Sequence, residues 1–139
     1  MIQDVREGVE STLELRFVRG VLRRHGLPLG EAQMPLAVID PDLGATRADR
    51  AYRALRVLIE LDGVRHHQGA VLVLDRLKSN RAAVQGWVCV RFGWAETVDR
   101  PCVSAAGLAE LFWARGWRGA PRACSPGCPV GKLRRARPA

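Results

Sequence analysis

No Asp or Glu follows Glu110, so the end of the chain carries Arg115, Arg118, Arg122, Lys132, Arg134, Arg135 and Arg137 with no carboxylate to offset them. Almost all of the net charge of +8 therefore lies there, and the first 110 residues are close to balance. Such a tail can hold a phosphate backbone by counterion release, or it can serve only solubility. No apolar run approaches the ~20 residues that a membrane span requires. The start, Met1 to Glu7, has no basic segment leading into an apolar core and is no signal peptide. A cytoplasmic protein without a membrane partner is expected. There are no internal repeats and no phosphate-cradling glycine loop, since Gly63 alone cannot make one, which leaves a small-molecule enzyme little support. Cysteine is scarce: Cys89, Cys102, Cys124 and Cys128 form no disulfide framework for a cytosolic chain. Cys89 lies in an apolar segment and reads as a small buried hydrophobe. Cys124 and Cys128, in Cys-Ser-Pro-Gly-Cys, can bring two thiolates to one metal. Zinc takes four ligands and no second pair is spaced to complete the set, so zinc is not expected there.

What is present is enough for one domain. The 139 residues, 47% hydrophobic and 26% charged, suit a soluble globular fold with a single core. The reading is a domain over 1–115 and a basic Gly/Pro/Arg-rich tail over 116–139, an ordered turn followed by a frayed end. Ser11-Thr12-Leu13-Glu14 is a capping box, and Leu13, Phe17, Val18, Val21 and Leu22 recur at helical spacing. A helix is predicted from Thr12 to His25, stopped by Gly26 and Pro28. Its other side carries Arg16, Arg19, Arg23 and Arg24, ordinarily a solvated face. Ala32 to Ile39 reads as an edge or bulged strand because of Pro35, and Asp40 to Gly44 as a turn whose acids need only turn chemistry. Arg47 to Leu55, rich in alanine and arginine, is a poor strand by propensity. Val57 to Asp62 is a strand, Val71 to Gln85 a helix closed by Gly86, Trp87 to Phe92 a strand and Cys102 to Arg115 a last helix. Asp75 and Lys78 fall on one face of the second helix, where a surface ion pair is the ordinary outcome.

The pivotal stretch is Val57-Leu-Ile-Glu-Leu-Asp-Gly-Val-Arg-His-His67. In a strand, Val57, Ile59 and Leu61 share one face while Leu58, Glu60 and Asp62 share the other. Taken alone, this is equally a half-buried strand running into an Asp-Gly turn. Asp49 stands in a segment able to pair beside it, which would gather three carboxylates, and those repel one another unless a cation joins them. His66 and His67 follow in a polar loop, where a histidine titrating near neutrality can act as a base or stand beside a metal, or be a loop residue only.

Asp49, Glu60-Leu61-Asp62-Gly63 with His66 and His67, Asp75 to Asn80, and Gly86 to Phe92 together resemble the PD-(D/E)XK, or restriction-endonuclease-like, superfamily. The branch most similar is that of the very-short-patch-repair endonucleases, above all the C-terminal domain of actinobacterial proteins related to abortive-infection antitoxins. The resemblance implies an α/β fold in the order αβββαβα, with a mixed sheet of about four strands flanked by helices. It implies a Mg²⁺- or Mn²⁺-dependent DNA endonuclease or nickase, with Asp49, Glu60 and the main-chain carbonyl of Leu61 as metal ligands. The alternative is an inactive nucleic-acid-binding or toxin–antitoxin regulatory module on the same scaffold. Asp62 occupies the place where many members carry lysine, so water activation passes to His66, the first choice, or to Lys78. Glu14 matches a first-helix glutamate that approaches the metal, beside its capping role; His67 and Asp75 are supporting candidates. Arg16, Arg19, Arg134 and Arg135 are candidates for holding DNA. Relatives often carry an N-terminal winged-helix domain for which this chain has no room, so target recognition is expected from a homodimer, a separate partner or a longer parent protein.

Overall fold

The computed structural model describes residues 12–62 and 69–135, with side chains from Asp75 onward in the helix Gly69–Val84. The chain is mixed α/β. A first helix, α1 (residues 12–23), leads to β1 (Glu31–Pro35), β2 (Arg47–Tyr52) and β3 (Val57–Leu61). Then come α2 (Gly69–Val84), β4 (Val88–Phe92) and α3 (Pro101–Ala114). The sheet runs β1-β2-β3-β4, antiparallel except for the β3–β4 pair, which is parallel.

β3 is central, and all five of its residues are buried. Its alternation divides the core. Val57, Ile59 and Leu61 join Leu13, Phe17 and Val21 of α1 and Leu108 and Phe112 of α3, so those two helices cover one face. Leu58 joins Met34, Ala48, Ala51 and Ala82, so α2 covers the other. Glu60 is therefore on the α2 face and is buried.

Several predicted boundaries move for local reasons. The second half of α1, Val18–Arg23, is π-wound, and Gly26 at φ +68° turns the chain out of it. β1 stops at Pro35, which cannot continue a hydrogen-bonded ladder, and Leu36–Val38 is a 3₁₀ turn instead of strand. β2 stops at Tyr52, because the turn to β3 uses Arg56 at φ +55°, so Leu55 lies in a turn. Asp40 does more than cap its turn: its carboxylate accepts from the Asp42 amide at 2.9 Å and from Arg81 of α2 at 2.8 Å, and both contacts hold it below the usual carboxylate range.

The tail reading needs the largest correction. Cys128 and Val130 are 3% exposed and belong to the core on the α1–α3 face, with Trp117, Cys124 and Leu133 packed against it. The Arg122 amide donates to the His25 carbonyl at 2.8 Å, and Trp113 Nε1 donates to the Gly119 carbonyl at 2.9 Å. Through Arg135 this segment is a layer of the domain. Apolar residues at uneven spacing between glycines and prolines carry no periodic signal, which is why it reads as a tail. No helix among the described residues is long and apolar enough to cross a membrane.

Candidate functional site

In the β2–β3 pair, Ala51 lies opposite Leu58 and Arg50 opposite Ile59. One step further in the same register puts Asp49 opposite Glu60, both on the α2 face. There the regular ladder ends. The Leu61 amide, which a continuing antiparallel pair would give to the β2 backbone, donates to Asp49 Oδ2 at 2.7 Å. The strands part, and a carboxylate fills the gap. Because both main-chain polar groups of a strand residue point to the same neighbour, the Leu61 carbonyl also faces β2.

α2 closes the site from above. Lys78 Nζ stands 2.9 Å from Glu60 Oε1 and 3.5 Å from the Arg47 carbonyl. The ammonium is the partner of this buried oxygen. Burial pushes the Glu60 carboxyl up to about 7; Lys78 pulls it down, less strongly, and the neighbouring Asp49 carboxylate pushes it up again. A cation at this carboxylate would compete with a proton on Glu60 near neutral pH.

The other predicted residues distribute themselves around this pair. Asp62 faces Arg91, whose guanidinium is 3.8 Å away. Asp75 is also 3.8 Å from Arg91, and Arg91 donates to Ser79 Oγ at 3.1 Å. Asp75 and Lys78, three apart on α2, are thus both directed at the sheet, where a surface pair was expected. Glu14 stands apart from the acid pair, 3.7 Å from Arg50, on the face covered by α1. Ser11, the other half of its capping box, lies outside the described residues, as do His66 and His67. Arg16 and Arg19 are exposed on α1, and Arg134 and Arg135 belong to the C-terminal layer, with Arg135 over the Trp113 ring at 5.4 Å. None of these four is on an element of the α2 face.

Two participants escape a sequence reading. Gln33 lies opposite Asp49 in the β1–β2 register, and its Nε2 reaches Asp49 Oδ1 at 3.5 Å from a backbone at φ +55°. A positive φ at a non-glycine inside a strand is strain held by its surroundings, and no residue type announces it. Arg91 lies beside Glu60 in the parallel β3–β4 register. Alternation in Cys89-Val90-Arg91 would have placed it on the Glu60 face had the pairing been known. Gln33, Asp49, Glu60 and Arg91 thus come one from each of the four strands.

For divalent cations the donors on this face are hard: two carboxylates and a main-chain carbonyl, with one carboxylate oxygen already paired to Lys78. That set fits Mg²⁺ or Mn²⁺. A second donor group lies across the sheet. Cys124 and Cys128, two ligands short of zinc by their spacing, are joined in space by Cys102 and His25, and the four ligand atoms lie within 4.8 Å of one another. No protein-family model, curated protein or solved structure matches the chain.

Proposed function

We propose that this chain is a Mg²⁺- or Mn²⁺-dependent DNA endonuclease or nickase on a restriction-endonuclease-like scaffold. The observation that supports it most is the opposition of Asp49 and Glu60 at the point where β2 and β3 part, with Lys78 on Glu60 at 2.9 Å. Asp49 and Glu60 would hold the cation with the Leu61 carbonyl, and Gln33 would steady Asp49. When bound, the cation acidifies a water and offsets charge developing on the phosphoryl oxygens. Lys78, 2.9 Å from Glu60, would orient the attacking water, with His66 the other candidate for that role. Arg91 neutralises Asp62, so that this carboxylate does not repel the DNA phosphate.

A second reading has one specific observation behind it. Lys78 already occupies the Glu60 carboxylate, and an internal ion pair in place of a cation is what a non-hydrolytic nucleic-acid-binding or toxin–antitoxin module on the same scaffold would keep. Nicking of supercoiled plasmid with Mg²⁺ or Mn²⁺ separates the two. The endonuclease reading expects chelator-sensitive nicking, lowered by roughly 10²-fold or more in Asp49→Ala and in Glu60→Ala. Lys78→Ala should slow nicking without weakening DNA binding, and the same measurement on His66→Ala decides which of the two orients the water. Cutting retained by both acid variants would remove the metal assignment, and DNA binding without any cutting would favour the second reading.

A further inference from the structure

On the opposite face from the acid pair, three thiols and an imidazole converge from segments far apart in the chain. His25 lies in the turn just after α1, Cys102 is the second residue of α3, and Cys124 and Cys128 flank Ser125-Pro126-Gly127 in the C-terminal layer. His25 Nε2 lies 3.4 Å from Cys102 Sγ, and Cys102 Sγ lies 3.4 Å from Cys124 Sγ. All four ligand atoms fall within 4.8 Å of one another. A tetrahedral zinc with Zn–S of about 2.3 Å and Zn–N of about 2.0 Å needs ligand–ligand edges of roughly 3.5–3.8 Å. The His25–Cys102 and Cys102–Cys124 contacts are within a few tenths of an ångström of those edges, and the remaining pairs, at up to 4.8 Å, would close by up to about 1 Å around the ion.

The surroundings suit a closed structural site. His25 is fully buried, and its Nδ1 is 2.9 Å from the Val21 carbonyl; donation there leaves the Nε2 lone pair facing the thiols. Cys102 is held in the first turn of α3. The Arg122 amide on the His25 carbonyl fixes the approach of the segment bearing Cys124 and Cys128. His25 and Cys128 are buried and Cys102 and Cys124 half-buried, and three thiols with an imidazole gain little there as a hydrophobic core, where aliphatic side chains would pack as well.

We propose that His25, Cys102, Cys124 and Cys128 form a structural zinc site that ties α1, α3 and the C-terminal layer together. Binding deprotonates the three thiols, so Zn²⁺ enters as up to three protons leave and no electrons are exchanged. With no open coordination position the ion is not catalytic. The site is independent of the acid pair: soft ligands and Zn²⁺ on one face, hard ligands and Mg²⁺ on the other.

The full chain, purified under reducing conditions without chelator, should carry one zinc per chain by inductively coupled plasma mass spectrometry. Reconstitution of demetallated protein with Co²⁺ should give the visible absorption of a tetrahedral thiolate site. Zinc should raise the melting temperature of the demetallated protein by 10 °C or more. Cys128→Ser and His25→Ala should lose the zinc, whereas Cys89→Ser and Asp49→Ala should retain one equivalent. Should the variants fail to fold, the Co²⁺ spectrum of the unaltered chain decides. Absence of bound metal together with a melting temperature indifferent to zinc would overturn the site. So would a Cys102–Cys124 disulfide under reducing conditions, and one equivalent of another metal would overturn the choice of zinc.

Discussion

Glu60 shows most directly how one residue can be costly to the fold and useful to the site. It is 7% exposed on the central strand, and burial carries its carboxyl up to about 7, from an ordinary value near 4.5, despite Lys78. Its folded value exceeds its unfolded one, so the folded protein binds more protons. The group is neutral in both states below pH 4.5, destabilises the fold progressively between pH 4.5 and about 7, and imposes its full cost above that. At 1.36 kcal/mol per unit the full cost is on the order of 3 kcal/mol. Glu60→Gln removes it. Without added divalent cations, the variant should match the unaltered protein near pH 5 and exceed its unfolding free energy by about 2–3 kcal/mol at pH 8. Urea unfolding at several pH values reads this, and a stability difference constant from pH 5 to pH 8 would show that Glu60 is not held up by burial. A buried acid whose removal stabilises is one kept for some other purpose, which is the thermodynamic side of the proposed cation site.

At the scale of elements, the site depends on how β1 is delivered to β2, and Gly30 controls that delivery. It has φ +67°, and a Cβ there would lie 2.7 Å from the Ala51 carbonyl oxygen and 2.9 Å from the Tyr52 ring. Gly44 also has a positive φ, +60°, but a Cβ there meets nothing within 4 Å. Gly44→Ala therefore pays backbone strain alone, about 1 kcal/mol, while Gly30→Ala adds a steric clash for a total of roughly 2–4 kcal/mol. Thermal unfolding should show a loss of roughly 5–15 °C for Gly30→Ala and about a third of that for Gly44→Ala. Equal losses would mean that β1 shifts freely to accept the methyl group. Because Gln33 rides on β1 with its Nε2 directed to Asp49, a displaced β1 should also disturb the proposed cation site. The existence of β1, and its place at an edge, can be read from Pro35. Its pairing with β2 cannot, because Arg47 to Tyr52 has too little β-propensity to declare itself, and with the pairing hidden the set from Gln33 to Arg91 is hidden as well.

For the molecule as a whole, what can be read from the chain depends on whether partners are near in sequence or only in space. Asp49 and Glu60 are legible because eleven residues and a tight turn separate them, and a hairpin then leaves few registers. Lys78 is legible as a candidate because α2 returns over the strand it follows. The thiol cluster is not, since its members are joined across 77 and 22 residues by packing that no local pattern encodes. The same holds for the C-terminal layer, whose role is testable by truncation. A chain ending at Arg115 loses Trp117, Cys124, Cys128, Val130 and Leu133, and with them the cover over Phe112 and the α1–α3 seam. Burial of those apolar side chains contributes several kcal/mol, against a total stability of about 5–15 kcal/mol for a domain of this kind. A frayed basic tail would be dispensable, leaving the truncated protein with an unchanged melting curve and near-ultraviolet circular dichroism. A core layer is not: residues 1–115 should lose cooperative unfolding and bind a hydrophobic dye, even in the presence of zinc. Restoring the chain to Arg135 should recover both the cooperative transition and the near-ultraviolet signal, because the contacts that close the core run through Val130, Leu133 and the Arg135–Trp113 stack.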